Sequence, residues 1–335
     1  MNILITTGIF PPKIGGPSEY SKNLKNALEK AQNRVKIGTF GLEEHLPTGV
    51  RHLYFLIKIA PSVLWADLII CMDTFSVALP SVLLSKIFGK KTIIRTGGDF
   101  LWEQYVERTG KKVLFRNFYK EEVNNFSKKE KIIFGLTRWS LKNASFVVFS
   151  TLWQRDIFID AYNLDKSKTG IVENYYGEKE KNTTSAGYNF VASTRNLIWK
   201  NLDTLKSVFN EIQKDLPNIS LYTENNAYDV FMQKMKDSYA VILVSLGDIS
   251  PNMVLDAIRH NKPFICTMEV GILDRIKDVG IFVDPLNRDE IKNAILRLLD
   301  KDEYELELNK VKNFSFTHSW DEIAGEFLSI SKNLK

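Results

Sequence analysis

Short runs of consecutive apolar residues alternate along this chain with longer stretches whose apolar positions recur every three or four residues. The first pattern marks a strand buried on both faces, the second a helix laid against a sheet. Read in order, Asn2 to Thr6 predicts a strand and Pro17 to Ala31 a helix carrying Leu24 and Leu28 on one face. Val35 to Thr39, Leu68 to Met72, Lys91 to Arg95 and Phe146 to Ser150 predict four more strands, with helices expected over Val77 to Phe88 and Lys131 to Lys142. The polar stretch Asn174 to Asn189, with its Lys/Glu run, two threonines and Gly187, reads as a domain boundary.

The rhythm then restarts. Strands are expected over Phe190 to Ser193, Ile219 to Thr223, Ala240 to Ser245, Phe264 to Thr267 and Ile281 to Val283. Helices are expected over Leu202 to Lys214, Tyr228 to Ser238, Pro251 to His260 and Asp289 to Leu299. The chain closes on Trp320 to Lys332, whose period places Ile323, Phe327 and Ile330 on one side. Strand and helix alternating through two halves predict an α/β chain of two Rossmann-like domains, with parallel sheets facing across a cleft. Such sheets place ligands beyond the carboxyl ends of their strands.

Composition narrows this picture. Of 335 residues, 44 % are hydrophobic and 25 % charged, the balance of a soluble globular protein. A formal charge of +5 suits anionic ligands without requiring nucleic acid, and no nucleic-acid-binding motif appears. Cys71 and Cys266 each sit inside an apolar run, as buried thiols in a reducing compartment do. None of the four histidines has the spacing of a metal site, so no metal is expected. The N-terminus reads as a buried strand rather than a signal peptide, and Leu53 to Ile70 is interrupted by Lys58, Pro61 and Asp67. The expectation is a cytoplasmic protein, at most peripheral to the inner face of the membrane.

Four segments supply candidate chemistry. In the first, Ser245 to Asp256, a strand ends, Gly247 opens a turn, Ser250 is placed as an N-cap and Pro251 at the first helical position. The amides of Asn252 and Met253 then form an anion site with the helix dipole, and Asp248 reaches ligand hydroxyls at its mouth. The competing reading is a plain strand-turn-helix in which Asp248 caps and Asp256 is solvated. In the second, Arg195 and Lys200 follow the first strand of the second half, where two cations suit a diphosphate leaving group; otherwise they are two surface cations. In the third, Gly15 and Gly16 lie between the first strand and helix, where bare backbone lets a ligand approach closely. In the fourth, Asp99 and Glu103 follow a strand end, with Asp99 as a helix N-cap the alternative. A Gly-x-Gly-x-x-Gly fingerprint is missing, which disfavours a nicotinamide dehydrogenase.

In this order the segments resemble the retaining glycosyltransferases of family 4, which have the GT-B fold, over essentially the whole chain. Phe10-Pro-Pro with Gly15-Gly16 resembles that family's glycine loop near the donor phosphates. Arg195 and Lys200 match its diphosphate-gripping pair. Leu255-Asp256-Ala257 followed by Lys262-Pro263-Phe264-Ile265 is similar to its Leu-Glu-Ala and Lys-Pro-Val-Ile run. Asp248 and Asp256 occupy the places of its two glutamates, which contact the transferred sugar and the ribose hydroxyls. The resemblance implies an N-terminal acceptor-side domain over residues 1–176, a donor-binding domain over 177–317, and a helix over 318–335 returning to the first. It implies metal-independent, cofactor-free transfer of a sugar from a nucleoside-diphosphate donor, UDP- or GDP-linked, with retention, to a hydroxyl of a glycan or lipid-linked glycan. In that scheme Asp248, Asp99 and Glu103 face the reacting groups, while Gly15, Gly16, Arg195, Lys200, Ser250, Asn252, Met253 and Asp256 hold the donor.

Three departures from the family are visible. Both carboxylates are Asp, about 1.5 Å shorter than Glu. One strand-helix unit, where the family usually has two, separates the helix after Lys200 from the strand before Asp248. No histidine stands where the family often has one facing the sugar. The rival readings are a non-catalytic nucleotide-sugar or glycan-binding protein of the same fold, and a sugar-nucleotide epimerase. The mixture of Lys/Arg with Phe115, Phe118, Tyr119, Phe126 and Trp139 over Arg108 to Lys142 is compatible with peripheral contact with an anionic membrane, while an ordinary amphipathic helix with a solvated basic face is the favoured reading.

Overall fold

The computed structural model describes residues 1–13, 15–180, 185, 187–192, 195–224 and 228–334. Its chain forms two compact units: Met1–Leu101, Glu122–Tyr175 and His318–Lys335 make the first, Trp102–Glu121 and Tyr176–Thr317 the second. Residues 102–121, read from sequence as part of the N-terminal domain, thus group with the second unit.

The run up to residue 171 contains β1 (Asn2–Thr7), α1 (Gly16–Lys30), β2 (Arg34–Thr39), α2 (Thr48–Trp65), β3 (Leu68–Cys71), α3 (Ala78–Phe88), β4 (Lys91–Thr96), α4 (Phe100–Thr109), α5 (Phe115–Glu121), α6 (Lys128–Asn143), β5 (Phe146–Phe149), α7 (Leu152–Tyr162) and β6 (Thr169–Ile171). Its strands form one parallel sheet in the order β2-β1-β3-β4-β5-β6. The chain steps outward from β1 to β2 and then back past β1 to β3. Right-handed crossovers therefore put α1 on one face and α2, α3 and α6 on the other. The contacts agree: Ser81 of α3 donates to Thr6 Oγ1 at 3.1 Å, whereas Ile3, Ile5 and Ile70 share a core with Leu24 and Leu28 of α1.

The second unit contains β7 (Tyr188–Ala192), α8 (Leu202–Ile212), β8 (Ile219–Tyr222), α9 (Tyr228–Asp237), β9 (Ala240–Leu243), α10 (Asn252–Arg259), β10 (Phe264–Thr267), α11 (Leu273–Ile276), β11 (Ile281–Val283), α12 (Arg288–Leu299) and α13 (Lys301–Asn313). Its parallel sheet runs β11-β10-β9-β7-β8, so the strand order reverses between β7 and β9. Their residues are apolar on both faces: Phe190, Ala192, Ala240 and Ile242 pack with α8 and α12, and Val241 and Leu243 pack with α10.

The last helix, α14 (Trp320–Asn333), opens on a capping box of Ser319 and Glu322. Its Ile323, Ala324 and Phe327 enter the core of the first unit beside α1, so the C-terminal helix returns to the N-terminal sheet. Helices α2, α4, α5, α7, α11 and α13 fall outside the sequence-predicted elements, α13 and α2 for opposite reasons. In α13 charged residues dominate and only Leu308 and Val311 are buried apolar positions, a stripe too short to stand out. In α2 the solvent side is apolar as well as the core side, which erases the contrast that signals a helix. No helix among the described residues is long and apolar enough to cross a membrane.

Candidate active site

In an open α/β sheet, the crevice beyond the strand ends opens where the strand order reverses. In the second unit that place lies between β7 and β9. The chain leaving β7 runs to Lys200, and the chain leaving β9 runs to Asp248. The two meet: Lys200 donates from Nζ to Asp248 Oδ2 at 2.8 Å. Lys200 is 8 % exposed, and its ammonium also sits 4.2 Å from the centre of the Trp199 ring. Asn201, in the left-handed conformation at φ 57°, turns the chain straight into α8 and so fixes where Lys200 points.

The Asp248 segment is held as an extra sheet edge. Leu246 N–H donates to Trp199 O at 2.8 Å and Asp248 N–H to Glu269 O at 2.8 Å, while Gly271 N–H returns to Asp248 O at 3.0 Å. These bonds leave the Asp248 carboxylate as the freer part of the residue, half-buried and aimed at Lys200. Ile249 and Ser250 follow, and α10 begins at Asn252.

The sequence reading places Ser250 as the N-cap and Pro251 inside the helix. Instead Pro251 is the cap residue, and no side chain caps α10. A proline at the cap pins the entry angle but brings no oxygen to the free amides. Val254 and Leu255 donate to Pro251 O, and no described residue accepts from the N–H of Asn252 or Met253. Ser250 Oγ is buried and without a partner among the described residues. The start of α10 thus combines two unpaired amides with an unsatisfied hydroxyl, shortly after Asp248 in the chain, which itself pairs with Lys200.

Asp256 lies on the second turn of α10, and burial pushes its carboxyl up to about 6, against the opposing pull of Arg259. Arg259 is itself engaged by Glu180 at 2.6 Å. Arg195 follows β7 in the exposed approach to Trp199, its guanidinium 5.8 Å from that ring. Its predecessors Ser193 and Thr194, the end of the predicted strand Phe190 to Ser193, lie outside the described residues.

Sequence reasoning missed the cover over this loop. Trp102 of α4, Phe115 of α5 and Trp199 form a tilted aromatic cluster, with ring centres 5.3 and 5.6 Å from that of Trp102. Trp102 donates its indole N–H to Val113 O, and Phe115 N–H donates to Leu246 O at 3.1 Å. A Cβ on Gly247 would lie 2.5 Å from Phe115 Cβ, so only glycine lets the loop pass beneath the cluster. Glu107 of α4 accepts from Ile198 N–H at 2.7 Å, Lys112 donates to Asn201 Oδ1 at 2.8 Å, and Arg116 pairs with the buried Glu269 at 2.6 Å. Burial raises the Glu269 carboxyl and Arg116 pulls it back. The only sequence signal for these contacts was the aromatic richness of residues 102–121.

The remaining predicted residues distribute as follows. Glu103 is half-buried on α4, one turn before Glu107 on the same side of the helix, in the second unit. Asp99 is 4 % exposed, directly before α4, in the first unit. The turn around it is pinned by Gln154, which donates to Thr96 Oγ1 and to Gly98 O. Gly15 and Gly16 lie at the start of α1, beyond β1, where the first sheet also reverses its order. A Cβ on Gly15 would meet Ile9 at 2.8 Å, whereas Gly16 has open space around it. Of the aromatic residues weighed for membrane contact, Phe115, Phe118 and Phe126 are core, because α5 and the turn after it bury that side, and Tyr119 and Trp139 are half-buried.

No protein-family model matches the chain, and no curated protein matches it by sequence. By structure it is similar over its full length to sucrose-phosphate synthase from Thermosynechococcus elongatus, with a TM-score of 0.71 at 11 % identity, covering 99 % of this chain and 98 % of that one. It is similar to Anabaena HepE in complex with UDP, with a TM-score of 0.70 at 13 % identity and 100 % of both chains covered. An E. coli structure described as trehalose-6-phosphate bound with UDP-2-fluoro glucose matches with a TM-score of 0.68 at 10 % identity, again over 100 % of both chains. Two parallel α/β units, the reversal of strand order in each and the last helix returned to the first unit give this chain the GT-B fold of those glycosyltransferases.

Proposed function

We propose that the chain is a glycosyltransferase that takes a nucleoside-diphosphate sugar in its second unit and transfers the sugar with retention to a hydroxyl of a glycan or lipid-linked glycan. The observation that supports this best is the Lys200–Asp248 pair at the strand reversal of the second sheet, beside the uncapped start of α10. A diphosphate needs cations and free amides; a sugar needs a carboxylate within reach of its hydroxyls. This corner of the fold holds all three. Lys200, with Arg195 arriving from the exposed side, neutralises the charge that builds on the leaving diphosphate. The amides of Asn252 and Met253 and the hydroxyl of Ser250 take phosphate oxygens. Asp248, once its ammonium partner turns to the phosphate, accepts from the sugar hydroxyls. Asp256 takes the ribose hydroxyls, and its raised pKa suits a group that gains hydrogen-bond donors only when the donor binds. Structures similar to this one contain UDP, UDP and glucose, or UDP-glucose, which favours UDP over GDP as the first base to try. Gly15 and Gly16 are assigned to the donor phosphates and Asp99 and Glu103 to the reacting hydroxyl by the family resemblance. The transfer we propose uses no metal and no cofactor.

The direct test is calorimetric binding and product analysis with a panel of UDP- and GDP-sugars. Binding of at least one at micromolar to millimolar concentration, abolished in the Arg195→Ala, Lys200→Ala double variant, supports the reading. A panel in which nothing binds and the double variant changes nothing refutes it. The shortened carboxylates favour one second reading, a nucleotide-sugar-binding protein without turnover. Donor binding with no sugar released, to water or to any acceptor, would establish that instead. Donor interconversion without an acceptor would identify an epimerase.

A further inference from the structure

A helix lying on a sheet normally turns its polar side outward. In the first unit α2 does the reverse. Its solvent-facing positions recur at intervals of three and four: Val50, Leu53, Tyr54, Ile57, Lys58, Pro61 and Leu64. All but Lys58 are apolar or aromatic, and Lys58 is tied to Glu43 at 2.8 Å. Leu53 and Ile57 are 61 % and 65 % exposed. The stripe does not end with the helix. α3 packs beside α2 on the same face of the sheet and exposes Leu83, Ile87 and Phe88, with Ile87 64 % exposed. Scattered exposed apolar residues need no explanation, but a continuous face across two adjacent helices does.

The charges that α2, α3 and α6 expose have one sign. α6 packs on the far side of α3 and exposes Lys128, Lys129, Lys131, Arg138 and Lys142. Lys128, Lys129, Lys131 and Lys142 make no ion pair among the described residues. Lys86 of α3 donates to the neutral Asn143, and Lys90 to a backbone carbonyl. Against these cations, the helices α2, α3 and α6 contain one carboxylate, Glu130, which is buried in the capping box of α6. An apolar stripe flanked by unneutralised cations, on a chain without a membrane-spanning helix among its described residues, matches a surface that is anionic outside and apolar just beneath.

We propose that the α2–α3–α6 face docks on an anionic lipid bilayer, with Leu53, Ile57 and Ile87 entering the acyl boundary and the lysines of α6 meeting the headgroups. A second copy of the chain would have to bring acidic residues to the same place, and this face has none to offer in return. The proposal does not depend on the donor reading, because the surface is built wholly from other residues.

The test is co-sedimentation of the full chain with vesicles of phosphatidylcholine alone or with 30 % phosphatidylglycerol, at about 0.1 M and 0.5 M salt. Binding is expected to the anionic vesicles at low salt and to fall steeply at high salt. Lys128→Gln, Lys131→Gln and Lys142→Gln are each expected to weaken it about fivefold. Leu53→Asn with Ile57→Asn is expected to abolish it, and thermal melting with far-UV circular dichroism reports that the chain remains folded. Binding that is absent, or equal for neutral and anionic vesicles, overturns the proposal. So does vesicle binding that survives Leu53→Asn with Ile57→Asn, or light scattering that shows a dimer which those substitutions dissolve in place of vesicle binding.

Discussion

Replacing Lys200 with Met separates what this residue does for the fold from what it does for a ligand. The methionine keeps an unbranched stem against Trp199 and removes only the charge. Asp248, 2.8 Å away and with a side chain 16 % exposed, is then left at the strand reversal without its counter-ion. Stripping one partner from a buried pair costs about 3–5 kcal/mol; the residual solvent access of Asp248 argues for the lower end, about 3 kcal/mol. For a unit of this size that lowers the melting transition by roughly 6–12 °C. Asp248→Asn strands the ammonium instead and is expected to cost about 2 kcal/mol, less because Lys200 also faces the Trp199 ring. In Lys200→Met with Asp248→Asn no charge remains to be stranded, so the double variant is expected to recover about 2 kcal/mol relative to the sum of the singles.

Ligand binding is expected to follow a different rule. The diphosphate loses its cation in Lys200→Met whether or not Asp248 is neutralised, so UDP affinity falls at least about tenfold in both the single and the double variant. Calorimetric melting of the four proteins gives the stability cycle, and titration with UDP gives the binding cycle. Additive stability losses would refute the ion pair as a unit. Wild-type UDP affinity in Lys200→Met would refute the phosphate grip. Recovery of stability without recovery of binding is the signature expected if both hold.

Arg195→Ala removes an exposed side chain, so melting is expected to move by no more than about 0.5 kcal/mol while UDP binding weakens about tenfold; an unchanged titration would remove Arg195 from the site. Gly247→Ala forces a Cβ to 2.5 Å from that of Phe115 and is expected to cost about 2–3 kcal/mol with a shift in tryptophan emission as Trp102 gives way. A silent substitution there would show that the aromatic cover is loose. Asp256 has a folded pKa of about 6 set chiefly by burial, above an unfolded value of about 4, so the folded state holds the extra proton and this residue lowers stability as pH rises between those values. Asp256→Asn is expected to flatten that part of the stability–pH curve by on the order of 2 kcal/mol, read by denaturant titration at pH 4, 5, 6 and 7.

The doubly wound architecture was legible because the central strands β3, β4, β5, β9 and β10 are short apolar runs between turn residues, as a parallel sheet covered on both faces requires, whereas the edge strand β6, Thr-Gly-Ile, has no such run and was not expected. Lys200 and Asp248 were legible for a related reason. Each follows a strand, and residues after strands of a parallel sheet gather at one edge whatever the details of packing. The start of α10 was misjudged by one residue. Pro251 fits the first helical position and the cap position almost equally from sequence, since both lack the need for its N–H. The choice fell to the Asp248 segment, whose pairing with Glu269 and Gly271 leaves Ile249 and Ser250 to make the bend into the helix before it can begin.

The segment from Trp102 to Glu121 shows where such reasoning stops. Neither α4 nor α5 is among the elements expected from sequence, and a helical period would in any case say only that one side of a helix is covered, not by what. The answer lay in a residue far along the chain: Gly247 has no side chain, and its bare Cα leaves the space that Phe115 and Trp102 fill. Once those rings are seated, Glu107 is committed to the amide of Ile198 and Lys112 to Asn201, so the segment buttresses the loop that presents Lys200. Asp99 and Glu103, read together from sequence as neighbours at one strand end, are divided at Leu101 between two bodies. Glu103 belongs with the buttress, one turn from Glu107, and its substitution should disturb the Lys200 loop; Asp99 stands on the first unit, and its substitution should not. Glu103→Gln that leaves UDP affinity and the second unit's melting untouched would return it to the company of Asp99.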